Sequence, residues 1–282
     1  MAMLHQVEDD RWQMVFPYAD GDTLEGQWES TDPDDLTPME GKWFVDQYAG
    51  VSSALEEIHE TTSEFHCGAH TGLKPEKILL FDDDTPNHTL RIADMGLEPH
   101  RMWPAGTRPI RGQLFREGRV SRYTAPFMGH SFDKNEERPR ESDILALGCI
   151  LLEHVIWVMS GYDALVHFRH RTELFWDHFQ NDDDGSLYVG IHGYAGHYIE
   201  LTLPCLDVDT AYTDILLLVR DHMLVWPTPA DAKSVRQTLE RIGRKCGESL
   251  HMSYTRRPDV LEFPKGLLDE FDWKKKSQFI FP

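Results

Sequence analysis

Basic residues are in short supply: 28 Lys and Arg stand against 48 Asp and Glu, a formal net charge of −20. Such a surface repels phosphate backbones and anionic lipid, so no nucleic-acid partner and no membrane partner is expected. The short basic run Lys274-Lys275-Lys276 reads as a solvated tail. Cysteine is scarce too. Cys67, Cys149, Cys205 and Cys246 lie far apart without metal or redox spacing, and read as small buried hydrophobes in a reducing compartment. Met1 to Asp10 has no apolar run of the kind a secretory leader needs. The most apolar stretch, Ile144 to Met159, is interrupted by Glu153 and His154 and is too short to span a bilayer, so it is expected as a buried core helix. The expected setting is intracellular, cytoplasmic or nuclear.

Several chemical signatures are missing. No Gly-x-Ser-x-Gly nucleophile turn occurs. His66, Cys67 and His70 are close in sequence, but no second cluster completes a zinc site, which favours core and loop roles. Asn181-Asp182-Asp183-Asp184-Gly185 is acidic like a calcium loop. Its twelfth position, counted from Asn181 or Gln180, is His192 or Ile191 rather than Glu, so it reads as an acidic turn. There is no internal repeat and no low-complexity linker.

What is present suits a globular domain: 282 residues, 40% hydrophobic and 11% aromatic, enough to bury a sizeable core. Arg11 to Phe16 is a strand candidate ended by Pro17 and the Asp20-Gly21-Asp22 turn. Thr37-Pro38-Met39-Glu40 has an N-cap Thr, a Pro at the first helical position and a Glu three residues after the cap. The helix it opens carries Phe44, Tyr48, Val51, Leu55 and Ile58 on one stripe. Ile78 to Phe81 and Thr89 to Ile92, joined by a polar connector, predict a small hairpin. Residues 97–141 and 180–205 read as irregular. Helices are expected over Ser142–Met159, Ala211–Leu224 and Asp231–Arg244, the last with Val235, Leu239 and Ile242 on one face. The expectation is one unit, mainly helical with little strand.

Five short motifs then occur in a telling order. Phe16-Pro17-Tyr18-Ala19-Asp20-Gly21 is followed by His70-Thr71-Gly72-Leu73-Lys74-Pro75-Glu76-Lys77 with Ile78-Leu79, and by Ile92-Ala93-Asp94-Met95-Gly96-Leu97. Arg122-Tyr123-Thr124-Ala125-Pro126-Phe127 and Ser142-Asp143-Ile144-Leu145-Ala146-Leu147-Gly148-Cys149-Ile150 come next, and His222-Met223-Leu224-Val225 fits a late helix. Together they resemble the hinge, catalytic loop, magnesium turn, end of the activation segment and central helix of a eukaryotic-type protein kinase. The nearest resemblance is to fungal serine/threonine protein kinase-like proteins.

The resemblance implies a kinase-like α+β fold consisting almost wholly of the helical lobe. Residues 1–16 would be a remnant of the β-rich lobe, 17–22 the hinge, 23–245 the helical lobe and 246–282 a C-terminal tail. No Gly-x-Gly-x-x-Gly precedes residue 16, and Gly190, Gly193 and Gly196 have the wrong spacing for one. The cofactors implied are ATP and magnesium. Phe16, Pro17, Ala19 and Leu79 would lie along the adenine, Lys74 would meet the transferred phosphate, and Asp94 would hold the metal. His70 and Asp143 would be structural, Asp143 anchoring the loop backbone from the buried helix. Met95 replaces Phe in the metal turn, and Phe127 replaces a closing Glu, losing one ion pair.

Two chemical positions are changed. Gly72 stands where the resemblance expects the Asp that accepts the hydroxyl proton, and Lys77 where it expects the Asn that holds a second magnesium. A charged Lys cannot coordinate a cation, so Lys77 is expected either to pair with Asp94 in place of magnesium or to be a surface residue. The expected function is that of a pseudokinase acting by protein binding. The alternative is serine/threonine phosphotransfer with ATP, weak or completed by a small lobe from elsewhere.

Overall fold

A computed structural model describes residues 3–8, 11–60, 62–63, 66–82, 88–94, 121–125, 139–180, 187–206, 209–225, 229–248 and 254–255. It is mainly helical with few strands, as the composition and periodicity led us to expect. Met95, Gly96, Pro126, Phe127, the acidic turn at 181–185 and Lys274 to Lys276 lie outside the described residues.

The chain opens with an antiparallel pair, β1 (Met3–Glu8) and β2 (Arg11–Val15). After the hinge-like segment comes a short helix, α1 (Leu24–Ser30), which the sequence reading did not include. Thr23 caps it by accepting the Gly26 N–H at 3.0 Å. The long helix α2 (Pro38–Glu60) starts in the expected way: the Thr37 N–H donates to Glu40 Oε2 at 2.7 Å, and the Glu40 N–H donates to Thr37 Oγ1 at 3.3 Å. Its buried stripe runs through Phe44, Tyr48, Val51 and Leu55 but ends on His59, with Ile58 only half-buried. His59 stands four residues after Leu55, and a buried carboxylate awaits it there (below).

Two short strands, β3 (Thr62–Ser63) and β4 (His66–Cys67), precede the loop. The expected hairpin follows it as β5 (Ile78–Phe81) and β6 (Thr89–Ile92), in register from Ile78 opposite Ile92 to Phe81 opposite Thr89. Segment 17–22 lies against β5: the Gly21 N–H donates to the Leu80 carbonyl at 3.1 Å and the Leu80 N–H to the Asp22 carbonyl at 2.9 Å. A Cβ on Gly21 would come within 2.7 Å of the Leu80 Cβ, so this approach requires glycine.

The central helix, α3 (Pro139–Thr172), is longer than expected and is interrupted at Gly161, whose φ of 81° suits a residue without a Cβ. Among the described residues it is the one helix long and apolar enough to cross a membrane, yet 89% of its most apolar window is buried inside the protein. It is core, with Leu145, Leu147, Ile150, Leu151, Val155 and Ile156 all fully enclosed.

The stretch 180–205, read as irregular, is corrected by the structure. β7 (Trp176–Gln180) pairs antiparallel with β8 (Leu187–Ile191), and α4 (Gly193–Thr202) follows at once. Gly193 and Gly196 argue against a helix on propensity, but burial of Tyr194, Ala195, Tyr198, Ile199 and Thr202 along one face outweighs that cost. The expected helix over 211–224 is α5 (Ala211–Leu218), widened into a π turn over Val219–Met223. The last helix is α6 (Ala232–Gly247), capped by Asp231, with Val235, Leu239 and Ile242 buried as expected. It lies along α2, where Arg236 Nε meets Glu56 Oε2 at 2.7 Å. Within the stretch read as a tail, Tyr254 is fully buried: its hydroxyl donates to Asp214 at 2.6 Å and its carbonyl accepts the Ala211 N–H at 2.9 Å.

Candidate functional site

The loop after β4 is built from beneath. Asp143, in the first turns of α3, is fully buried, and its two oxygens divide the work. Oδ2 accepts the His70 N–H at 2.7 Å and His59 Nε2 at 2.9 Å, while Oδ1 accepts the Thr71 N–H at 2.7 Å. Charge-assisted bonds to backbone N–H groups are among the strong ones, and here they hold Thr71 at a φ of 64°, which a β-branched residue rarely adopts. His59 is missing from the sequence reading, because it lies 84 residues from Asp143 and looks like an ordinary helix-terminal His.

His70 is fully buried, and both of its ring nitrogens are in use. Nδ1 accepts the Gly72 N–H at 3.2 Å, so Nε2 carries the proton that it donates to the Ala93 carbonyl at 2.8 Å. That single ring ties the loop to the residue before Asp94. It also leaves His70 no lone pair for a metal, which removes the zinc alternative at this residue.

The other side of the loop is different. Gly72 is half-buried and has no side chain to accept a proton. Lys74 is half-buried and precedes a short 3-10 turn, Pro75–Lys77. Lys77 is only 7% exposed, which overturns the surface-residue alternative. Its carbonyl accepts the Ala93 N–H at 2.8 Å, so the ladder of β5 and β6 continues one step and carries Lys77 and Asp94 to the same end of the hairpin. Asp94 is exposed and sits at a φ of 59°. Leu79 is half-buried and bridges to Thr23, just beyond segment 17–22. In that segment Phe16 and Pro17 are exposed and Ala19 is half-buried.

A magnesium ion is held by oxygen ligands. Asp94 supplies a carboxylate, but the second expected position supplies the ammonium of Lys77, which cannot coordinate a cation. The residues present therefore do not fit a magnesium held by both positions. Among the described residues no group of three or more His, Cys, Asp or Glu is arranged to hold a metal ion.

A second constellation escaped the sequence reading. Glu153, on α3, is fully buried between two guanidiniums: Arg122 Nε lies 3.3 Å from Oε1 and Arg169 Nη2 donates to Oε2 at 2.7 Å. The Tyr123 hydroxyl donates to Oε2 at 2.6 Å. Arg169 also grips Glu25 on α1 with both terminal nitrogens, at 2.5 and 2.8 Å, and Arg122 donates to Thr172 at 2.7 Å. Burial works to raise the Glu25 carboxyl, but the Arg169 guanidinium outweighs it and holds that carboxyl below its ordinary range. Burial and the Glu153 charge push the Tyr123 hydroxyl well above its ordinary value, so it remains a donor. This cluster fastens segment 121–125 to α3 and α1. The loss of an ion pair expected from Phe127 lies outside the described residues, but the segment just before it is held by charge.

Beside Glu153, the His154 ring is enclosed by Trp28, Phe44, Tyr48 and Trp157, and its Nδ1 accepts the Trp28 indole N–H at 3.3 Å. Burial pushes its pKa down to about 3, so it is a neutral core residue. No protein-family model matches this chain, and the comparison with curated proteins found no match.

Proposed function

We propose that this chain forms the helical lobe of a protein kinase-like fold, has lost phosphoryl transfer, and acts inside the cell by binding another protein as a scaffold, decoy or allosteric partner. The supporting observation is a contrast within one loop. Asp143 and His70 hold its backbone with a full set of bonds. Gly72 and the buried Lys77 occupy the two positions where, by resemblance, proton acceptance and cation holding would reside. Phosphoryl transfer depends on positioning and charge neutralisation, and a lobe with one carboxylate and a buried ammonium retains the frame without the means.

This reading expects Lys77, which lies at the same end of the hairpin as Asp94, to pair with it in place of the cation. A double-mutant cycle of Lys77→Met and Asp94→Asn reads this directly. The expected coupling is about 1 kcal/mol or more, as for a partly desolvated pair. Additive effects would remove the pairing.

Binding of ATP is tested by a thermal shift with nucleotide and magnesium, for which this reading expects none. The double substitution Gly72→Asp with Lys77→Asn is expected to leave the chain without phosphotransfer unless a small lobe is also supplied. A second reading, weak serine/threonine phosphotransfer, draws on the retained Lys74 and Asp94 and on Leu79 beside the hinge. Transfer of γ-phosphate that Asp94→Ala abolishes would establish it instead.

A further inference from the structure

Large apolar side chains exposed among the described residues are Val15, Phe16, Tyr18 and Met39, and three of these fall within Val15 to Tyr18. Phe16 is 61% exposed and Tyr18 88%. In the sequence, Trp12, Met14, Phe16 and Tyr18 recur at every second position, the period of a strand with one apolar face. The backbone has a matching opening. β2 pairs with β1 on one side, and no third strand among the described residues pairs with it on the other. A two-stranded sheet is marginal in water, and an unpaired edge is a template for another strand.

The charge beside this strip has one dominant sign. Asp20, Asp22 and Asp82 are exposed and tied together where the hinge meets β5: Asp20 Oδ1 accepts the Asp82 N–H at 2.9 Å, and the Asp22 carbonyl accepts the Leu80 N–H at 2.9 Å. Of the cations on the same loop and hairpin, Lys77 is buried and Lys74 half-buried, while Arg91 is exposed with its guanidinium over the Phe81 ring at 4.6 Å, so one exposed cation stands against three exposed carboxylates. A second copy of this chain would bring the same carboxylates, and a charge of −20, against themselves.

We infer that the free edge of β2 and the Phe16–Tyr18 strip receive an extended, basic β-strand from a partner protein. Main-chain bonds to β2 would supply affinity, Phe16 and Tyr18 would anchor the partner's apolar side chains, and Asp20, Asp22 and Asp82 would face its Lys or Arg residues. This inference rests on the binding function proposed above and gives its partner a chemistry.

The test uses the full chain and three short synthetic peptides: alternating Val and Lys, alternating Val and Glu, and the Val/Lys peptide with a central Pro. The Val/Lys peptide is expected to bind about tenfold or more tightly than the Val/Glu peptide, with the advantage shrinking in salt. It should slow amide exchange at residues 11–18, and the Pro should abolish both effects. Phe16→Ser and Tyr18→Ser, at exposed positions, should each weaken binding without loss of fold. Equal binding of the Lys and Glu peptides, or binding with unchanged exchange at 11–18, overturns the inference. So does a dimer in sedimentation that Tyr18→Ser dissociates. A phosphotransfer assay on the same sample separates the two claims. Transfer together with selective Val/Lys binding would end the proposed loss of activity and leave this surface standing, while the reverse pair of results would do the opposite.

Discussion

The two sides of the loop at residues 70–77 obey different rules. Beneath it, Asp143 is fully buried, accepts three hydrogen bonds, and holds Thr71 in a conformation that Thr does not choose. On the other side, Gly72 offers no functional group and Asp94 faces solvent. The inner bonds are needed for the chain to keep its shape, because removing an acceptor strands buried N–H groups. The outer groups carry no such penalty and are free to change. On the proposed reading, a frame built for chemistry outlasts the chemistry.

The severest way to break this comparison is Asp143→Ala. It leaves the His70 and Thr71 N–H groups and His59 without their acceptor, and about 3 to 5 kcal/mol of unfolding free energy should be lost in a denaturant titration. Asp143→Asn, which keeps one acceptor oxygen, should recover part of that. A loss under about 1 kcal/mol for Asp143→Ala would mean the loop is held by something else.

Glu153→Ala comes next, at about 3 kcal/mol, because it leaves two guanidiniums facing each other in a buried site. The double change Glu153→Met with Arg169→Met should cost less than the sum of the two single changes, since it removes a charge pair together, although Glu25 and Arg122 then lose their partners. Measured additivity there would dissolve the cluster as a unit.

The underside of the fold also predicts a pH dependence. His154 has a folded pKa near 3 against an ordinary value of 6.5, so between those limits the unfolded chain binds the extra proton. The His154 contribution to stability is then fully present above about pH 6.5 and falls by about 1.4 kcal/mol for each pH unit below it, down to about pH 3. His154→Gln should flatten that slope between pH 4 and 6.5. An unchanged slope would assign the acid sensitivity to other groups.

How much of this was legible depended on sequence distance. The capping box at Thr37 and Glu40, the β5 and β6 hairpin and the Val235, Leu239 and Ile242 stripe are local patterns, and the structure repeats them. The motif around Asp143 also indicated what its carboxylate would hold. Glu153 was different. In the sequence it merely interrupted an apolar run, and its partners Arg122, Arg169 and Tyr123 come from separate segments. No period or spacing signals a charge buried by tertiary packing. β8 and α4 were hidden for a related reason: Gly193 and Gly196 speak locally against a helix that burial of Tyr194 and Tyr198 makes favourable.

The mildest expected effect is on the outer side. Gly72→Asp should change stability by no more than about 0.5 kcal/mol, since it adds a polar group at a half-buried position. A large destabilisation would show that the glycine serves the fold, and the contrast between the two sides would blur.

The central claim is tested most directly by incubating the purified chain with γ-labelled ATP, magnesium and a protein acceptor. We predict label incorporation no higher than that of Asp94→Ala. Incorporation well above that background, abolished by Asp94→Ala, would contradict the account.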